Sequence, residues 1–300
     1  MVQISLVCCS FNPNRDYLLR TIRSMFAQKA DSSICEIIIV DNRSEPPIAS
    51  WLPEDVLCKV RIVVEPEAGL TPARAAGVRE SRGEWVLFVD DDNVLDENYV
   101  GECEKIIVAF PQLGAFGSSK ILPEFAVQPS GDLSPFLPLL AIRDQEKSMW
   151  SNVGDHRTFP CGAGMCARRD LMLEHFKCVL QNNRRKSLDR SGKSLASAGD
   201  TDMLYSVIDS GLGTGVFPSL QLLHLIPEGR IQISYLCRLT YSISRSLTIL
   251  EQERSGIRYS LAGKLKETVV GLLRVLAAGT NKRMAWYSQK GRLSALWEFK

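Results

Sequence analysis

Three consecutive carboxylates follow an apolar run near position 90 of this 300-residue chain. Residues 86–89 predict a buried strand, and Asp90, Asp91 and Asp92 come directly after it. Adjacent carboxylates repel one another, so a cation among them would stabilise the cluster. Their oxygen atoms suit Mg²⁺ or Mn²⁺, which in turn bind diphosphates. The pattern predicts an enzyme acting on a nucleotide-linked substrate, and the alternative is a solvated acidic turn that caps the next helix.

Two other apolar segments also end in polar side chains. Residues 4–9 lead into a turn that contains Ser10 and Asn12, and residues 34–40 lead into Asp41 and Asn42. In open α/β sheets, ligands bind in the crevice at the carboxyl ends of the strands. We therefore expect these polar groups and the carboxylate cluster to line one crevice.

The elements that must position these residues alternate between strand and helix over the first 110 residues. Strands are predicted at 4–9, 34–40, 59–64 and 85–90, with helices near 16–26, capped by Asp16, and 73–81, capped by Thr71. This alternation predicts an α/β fold with a mostly parallel, Rossmann-like sheet and flanking helices. The chain contains neither a Gly-x-Gly-x-x-Gly turn nor a P-loop, which disfavours a dinucleotide dehydrogenase and a P-loop enzyme.

Five later features are ambiguous on their own. Residues 120–160 predict an irregular insertion or lid, and residues 184–199 predict a polar, mobile loop. Asp200 opens a helix, so it is either a helix cap or a functional carboxylate. His224 lies in an apolar strand, where a histidine is more often a core residue than a ligand. Residues 161–165 form a small-residue turn, which predicts either close approach to a ligand or an ordinary tight turn.

Charge divides the chain into two parts. The net charge is +2, but residues 230–300 contain 13 basic and 4 acidic residues, a net charge of +9. This predicts a main domain over 1–230 and a basic helical extension over 231–300 that faces something anionic. A peripheral membrane contact through 231–300 is one interpretation, and a solvated helical cap is the other.

The sequence predicts a cytoplasmic protein, with the inner face of the cell membrane as a second location. The first residues predict a strand instead of a signal peptide, and no apolar stretch is long enough to span a membrane. The nine cysteines are odd in number and lack metal-site spacing, so we expect reduced core thiols.

Taken in order, several segments resemble the family 2 inverting glycosyltransferases of GT-A fold. Residues 4–12, 36–44 (EIIIVDNRS), 65–77 (EPEAGLTPARAAG) and 82–92 (RGEWVLFVDDD) resemble that family's opening strand, second strand, loop-helix and Asp-x-Asp segments. Residues 162–165 and 199–202 resemble its acceptor-side motifs. Cys9-Ser10 replaces the usual Pro-Thr, and Gly199 stands where glutamate is common. The resemblance extends to about residue 230.

The resemblance implies inverting transfer from a nucleoside-diphosphate sugar, with UDP or dTDP favoured, to an acceptor hydroxyl. It also implies Mn²⁺ or Mg²⁺, a saccharide or lipid-linked acceptor, a role in cell-surface polysaccharide or glycolipid synthesis, and no nucleic acid partner. The implied donor-binding residues are Ser10, Phe11, Asn12, Asp41, Arg74, Asp90 and Asp91, with Asp41 on the nucleobase and Arg74 near the diphosphate. The implied metal ligands are Asp90, Asp92 and His224, and the implied general base is Asp200 or, second, Asp202.

Two other functions compete with transfer. A nucleotidyltransferase that makes the sugar nucleotide would usually carry a Gly-rich basic loop after the first strand, which residues 9–14 lack. The presence of Asp90, Asp92, Asp200 and His224 argues against the other alternative, a non-catalytic nucleotide-sugar-binding protein. Stabilisation by a nucleoside diphosphate only in the presence of a divalent cation would favour the transferase.

Overall fold

Four parallel strands form the first half of one sheet. The computed structural model describes residues 3–29, 33–257 and 259–298. The four strands are β1 (Ile4–Ser10), β2 (Ile34–Asp41), β3 (Arg61–Val64) and β4 (Trp85–Asp90), in the spatial order β3-β2-β1-β4. Ser10 pairs with Asp41, and Cys9 pairs with Asp90. The polar ends of these strands therefore meet at one edge of the sheet, as the sequence predicts.

Helices cover both faces of this half because its strands are apolar on both sides. The helices are α1 (Arg15–Phe26), α2 (Glu54–Leu57), α3 (Leu70–Glu80) and α4 (Tyr99–Ala109). Leu6 and Leu87 pack in a core with α1 and α4 on one face. Val7 and Val86 pack in a second core with α3 on the other face.

Two predicted helix caps are wrong. The cap of α1 is Asn14, whose side chain accepts the backbone N–H groups of Asp16 and Tyr17, so Asp16 already lies in the first turn. Helix α3 starts at Gly69, whose φ of 138° favours glycine, and Thr71 lies inside the helix.

The second half of the sheet is mixed, which differs from the mostly parallel expectation. Its strands are β5 (Asn93–Leu95), β6 (Leu113–Phe125), β7 (Arg143–Asp144), β8 (Met149–Ser151), β9 (Met165–Arg168) and β10 (Gly213–Ile226). β9 runs antiparallel between β4 and β6, whereas β6 and β10 are parallel to each other. The main order continues as β4-β9-β6-β10-β5.

The remaining helices are α5 (Arg169–Leu180), α6 (Asn183–Lys186), α7 (Gly199–Asp209), α8 (Ile233–Ser255), α9 (Leu261–Ala277) and α10 (Lys282–Glu298). The segment 184–199, predicted as a polar loop, contains part of α6 and is packed. Its Leu188 and Ala198 are buried against Ile249 and Leu250 of α8.

The irregular segment after β6 packs against the start of the C-terminal region. Residues 131–140 form 3-10 turns whose Leu133 and Phe136 are buried with Ile226, Ile231 and Leu236. One apolar cluster therefore includes residues on both sides of position 230. None of the helices in the described ranges has the length and apolar character needed to cross a membrane. The nine cysteines are free thiols, of which Cys35, Cys58 and Cys178 are exposed instead of lying in the core.

Candidate active site

A cleft of about 670 Å³ opens where β1 and β4 end. This volume lies in the range of small-molecule binding sites. Its walls come from strand ends, from the loop before α3, from the 161–163 turn and from the segment before α7. The polar residues that line it include Ser10, Asn42, Arg74, Asp90, Asp91, Asp92, Asp189, Arg190, Asp200, His224 and Arg230. Most of the predicted site residues therefore share one cavity.

Asp91 lies at the end of β4 and contacts the end of β1. The hydroxyl of Ser10 donates a hydrogen bond of 2.5 Å to its Oδ2. Burial, reinforced by the neighbouring charge of Asp92, raises the pKa of Asp91 to about 7. Burial also raises the pKa of Asp90, although Arg74 opposes this shift. Asp90 and Asp91 are thus short of compensating positive charge.

Arg74 connects three separate parts of the site. Its side chain is only 3% exposed and is held over the ring of Phe88. Its guanidinium bonds Asp200 and lies 3.0 Å from Asp189 Oδ2 and 3.9 Å from Asp90 Oδ1. One cation from α3 therefore joins the end of β4, the loop before α7 and the first turn of α7.

Asp200 and Asp202 point in different directions from the first turn of α7. Asp200 is 34% exposed to the cleft, and its Oδ2 accepts the backbone N–H of Gly162 at 2.8 Å. Asp202 is 2% exposed, and Arg185 binds both of its oxygens at 2.9 Å. This buried ion pair disfavours Asp202 as the second candidate base.

The turn before β9 brings backbone against these side chains. A Cβ atom at Gly162 would collide with the Arg74 guanidinium and the Asp200 carboxylate. Gly164 has a φ of 73° and its carbonyl accepts the hydroxyl of Tyr99 at 2.6 Å. Residues 161–165 therefore form the tight turn that was one interpretation, closed by the hydrogen bond from Met165 N–H to the Gly162 carbonyl, and its backbone contacts side chains of the site; approach to a ligand stays a prediction.

The side chains of His224 and Asp92 both contact the guanidinium of Arg230. His224 Nδ1 donates to the Leu140 carbonyl at 2.9 Å, and its Nε2 lies 3.6 Å from Asp92 Oδ2. Arg230 lies 2.9 Å from Asp92 Oδ2 and 3.1 Å from His224 Nε2. Burial alone would raise the pKa of Asp92, but Arg230 and His224 outweigh it and lower the pKa to about 2.

The predicted metal ligands are only partly assembled. Across 3–29, 33–257 and 259–298, no three His, Cys, Asp or Glu side chains form a group that could hold an ion. The side-chain types of Asp92 and His224 suit a divalent cation, and the Leu140 carbonyl orients the imidazole ring as in many metal sites. The Arg230 guanidinium lies between Asp92 and His224, at the position where an ion bound by both side chains would lie. The residue types fit a metal once Arg230 turns away.

Of the residues predicted to lie around the nucleobase, one lines the cleft and two support the loop after β2. Phe11 is 51% exposed and lines the cleft. Asp41 is buried, and its two oxygens accept the backbone N–H groups of Ser44 and Ile48 at 2.8 Å. Its carboxylate therefore orders the loop after β2, and it does not line the cleft as predicted. Asn12 accepts the N–H of Glu45, so it also supports this loop.

Asn42, and not the predicted Asp41, is the residue after β2 whose side chain lines the cleft. Asn42 lines the cleft, and its amide donates to the carbonyls of Glu65 and Glu67. Its Oδ1 accepts the N–H of Gly69 at 2.7 Å. This side chain fixes the loop that leads into α3 and so helps to place Arg74.

Sequence reasoning missed two charged residues of the site. Asp189 lies in the segment predicted as a polar loop, and burial raises its pKa to about 6 despite Arg74. Arg230 was assigned to the basic run of the C-terminal region. Its position six residues after His224 is the one available signal, because a single turn after β10 returns its side chain to the strand end.

Comparison with known proteins supports one family. Residues 5–120 match the sequence model described as Glycosyl transferase family 2. The crystal structure of S. aureus TarS 1–349 is similar at a TM-score of 0.51 and 12% identity, over 99% of this chain and 92% of that one. TarS 1–349 in complex with UDP-GlcNAc is similar at a TM-score of 0.54 and 12% identity, over 99% and 93%. At this identity the likeness to TarS concerns the fold. The family match over 5–120 and the fold shared along the chain support a family 2 glycosyltransferase of GT-A fold.

Proposed function

We propose that this glycosyltransferase moves a sugar from a nucleoside-diphosphate sugar to an acceptor hydroxyl, with inversion at the anomeric carbon. The observation that carries the proposal is the Arg74 guanidinium, which holds Asp200 and Asp90 in one cleft. The UDP-GlcNAc bound to the structurally similar TarS supports a UDP-sugar over a dTDP-sugar. A saccharide or lipid-linked acceptor of the cell surface fits the same chemistry.

Inversion in one displacement requires one base. Asp200 pairs with Arg74 and presents its carboxylate to the cleft, so it can accept the proton of the acceptor hydroxyl. Arg74 and Arg230 are fixed guanidinium groups in the same cavity and can stabilise negative charge that develops on a leaving diphosphate. A second carboxylic acid is not needed, because a nucleoside diphosphate is already a good leaving group.

A divalent cation belongs to this proposal. Asp92, Asp90 and His224 would hold Mg²⁺ or Mn²⁺, which would neutralise charge on the diphosphate. Arg230 would then release Asp92 and pair with oxygen atoms of the diphosphate. The donor chemistry of Asp92 and His224 supports this assignment.

The general base is tested with Asp200→Asn. The variant keeps the side-chain size and the hydrogen bond from Gly162 but lacks the basic carboxylate. We expect kcat to fall about 10²- to 10⁴-fold with nearly unchanged donor affinity. Transfer would be measured against a panel of nucleotide sugars, and donor affinity by calorimetry.

Asp202→Asn is the matched control, since it is the same substitution two residues away on the same helix. It should destabilise the fold by weakening the Arg185 pair, while kcat of the folded protein stays close to wild type. Wild-type turnover by Asp200→Asn would remove Asp200 as the base.

A further inference from the structure

Helix α9 turns an apolar face away from the protein. Six of its apolar side chains are between 47% and 69% exposed, namely Leu261, Leu265, Val269, Leu272, Leu273 and Leu276. At 100° per residue they fall within an arc of about 120°. The opposite side of the helix packs on α10, where Gly271 is buried next to Gln289. An ordinary surface helix shows the reverse arrangement.

Helix α10 adds two tryptophans to this surface. Trp286 and Trp297 are 48% and 46% exposed, and their spacing places them about 20° apart around the helix. They line a groove of about 450 Å³ between α9 and α10, together with Leu272 of the exposed arc. Tryptophan combines an apolar ring with one N–H donor, which suits a boundary between water and an apolar phase.

The apolar face is surrounded by positive charge. Residues 261–298 contain seven basic and two acidic side chains. Both acids are in ion pairs, Glu267 with Arg292 and Glu298 with Arg245. Five cations remain exposed; Lys266, Lys282, Arg283 and Lys290 lie on or beside the face, whereas Arg274 lies on the opposite side of α9. Its partner should therefore be apolar in depth and anionic at its surface.

We propose that α9 and the tryptophan edge of α10, called here the docking face, bind the surface of an anionic lipid bilayer. The apolar arc would enter the boundary between headgroups and acyl chains, and the cations would contact the headgroups. Two copies of the docking face would bring like charges together, which disfavours a dimer across it. The inference concerns a surface formed by α9 and α10 and does not rest on the proposed reaction.

Co-sedimentation of the full chain with vesicles tests the docking face. One vesicle contains phosphatidylcholine with an equal part of phosphatidylglycerol, and the other contains phosphatidylcholine alone. Wild type should bind the anionic vesicle more tightly, and added salt should weaken this binding. The variant Leu273→Gln with Leu276→Gln should lower the partition coefficient at least about tenfold, because two exposed side chains can no longer enter the lipid.

Charge and fold are controlled separately. Lys266→Gln and Lys290→Gln should each weaken binding to the anionic vesicle about fivefold. Val108→Gln alters an equally exposed valine on α4 and should bind like wild type. Unchanged circular dichroism of the leucine variant would show that the fold is kept.

Three results would overturn the proposal. The first is absence of wild-type binding to the anionic vesicle, and the second is equal binding by wild type and the leucine variant. The third is a wild-type oligomer in sedimentation velocity that the leucine variant converts to monomer, with no vesicle binding by either. That result would assign the docking face to a second copy of the chain.

Discussion

At the scale of single residues, Arg230 balances the charge of the candidate metal site. Its guanidinium is the nearest cation to Asp92, a side chain that is 8% exposed. Because the folded pKa of Asp92 is about 2, below its unfolded value, the pair stabilises the protein above pH ~4 and this contribution is lost as the pH falls towards 2.

Arg230→Gln should therefore destabilise the protein at pH 7. Loss of the partner of a buried charge costs up to roughly 3–5 kcal/mol, measured by urea unfolding. Added Mn²⁺ should raise the melting temperature of the variant more than that of wild type, because a cation can then take the vacated place. Arg238→Gln, on an exposed position of α8, is the control. Equal responses to Mn²⁺ in both proteins would contradict a cation site at Asp92.

Local pattern decides which site residues could be predicted. Asp90, Asp92 and Asp200 were found because strand ends and helix starts are visible in sequence. Arg74 was found through the family resemblance. Asp189 and Arg230 were missed, because their roles depend on contacts with residues more than a hundred positions away. Asp41 was misjudged for a similar reason, since both of its hydrogen bonds are to backbone of a loop that shows no sequence pattern.

At the scale of elements, the packing of α5 against α7 contains a buried histidine. His175 is 5% exposed, and its Nδ1 lies 2.8 Å from the hydroxyl of Ser206. Burial lowers its pKa to about 3, with Arg185 and Arg74 acting in the same direction. In the unfolded chain this histidine binds a proton as the pH falls below about 6.5, whereas in the folded protein it stays neutral until about pH 3. The stability of the fold therefore falls as the pH drops below 6.5.

His175→Gln should remove this pH dependence. Between pH 7.5 and pH 5 the histidine accounts for a loss of about 2 kcal/mol, which the variant should lack. Urea unfolding at both pH values measures the difference. His156→Gln alters an exposed histidine and should keep the wild-type dependence. The same pH dependence in His175→Gln and wild type would show that the histidine is protonated in the folded protein.

The elements themselves follow from the sequence better than their ends do. Apolar runs predict β1, β2 and β4, because these strands are buried on both faces. The caps at Asp16 and Thr71 were wrong by two residues, since several residues near each start could cap a helix and only the tertiary path selects one. The mixed half of the sheet was missed because β9 is four residues long and follows an irregular segment.

At the scale of the molecule, the C-terminal region supports the cleft. Ile231 and Leu236 are buried with residues of the 131–140 turns, and Ile249 is buried against Leu188 beside the site. Removal of α8 would expose both clusters to water. A region that looks separable by charge therefore shares its apolar core with the rest of the chain.

A chain that ends at Glu228 should thus lose more than its basic tail. It lacks Arg230 as well as α8, so we expect a lower melting temperature and weaker binding of nucleoside diphosphate than in the full chain. Calorimetry and thermal unfolding of both chains measure these effects. Equal melting temperatures would show that residues 1–228 fold independently. Point substitutions on α9 are the better test of the docking face.

The ion pairs of Arg74 with Asp189 and Asp200 also bear on when the cleft can form during folding. Its partners Asp189 and Asp200 lie 115 and 126 residues further along the chain. Bringing such distant segments together requires closure of long loops, which is slow compared with the growth of a helix. Strands and helices of the first 110 residues can pair while α7 is still remote. We therefore expect the cleft to be among the last parts to assemble, so that a nascent or partly refolded chain would have much of its secondary structure before it can bind a ligand.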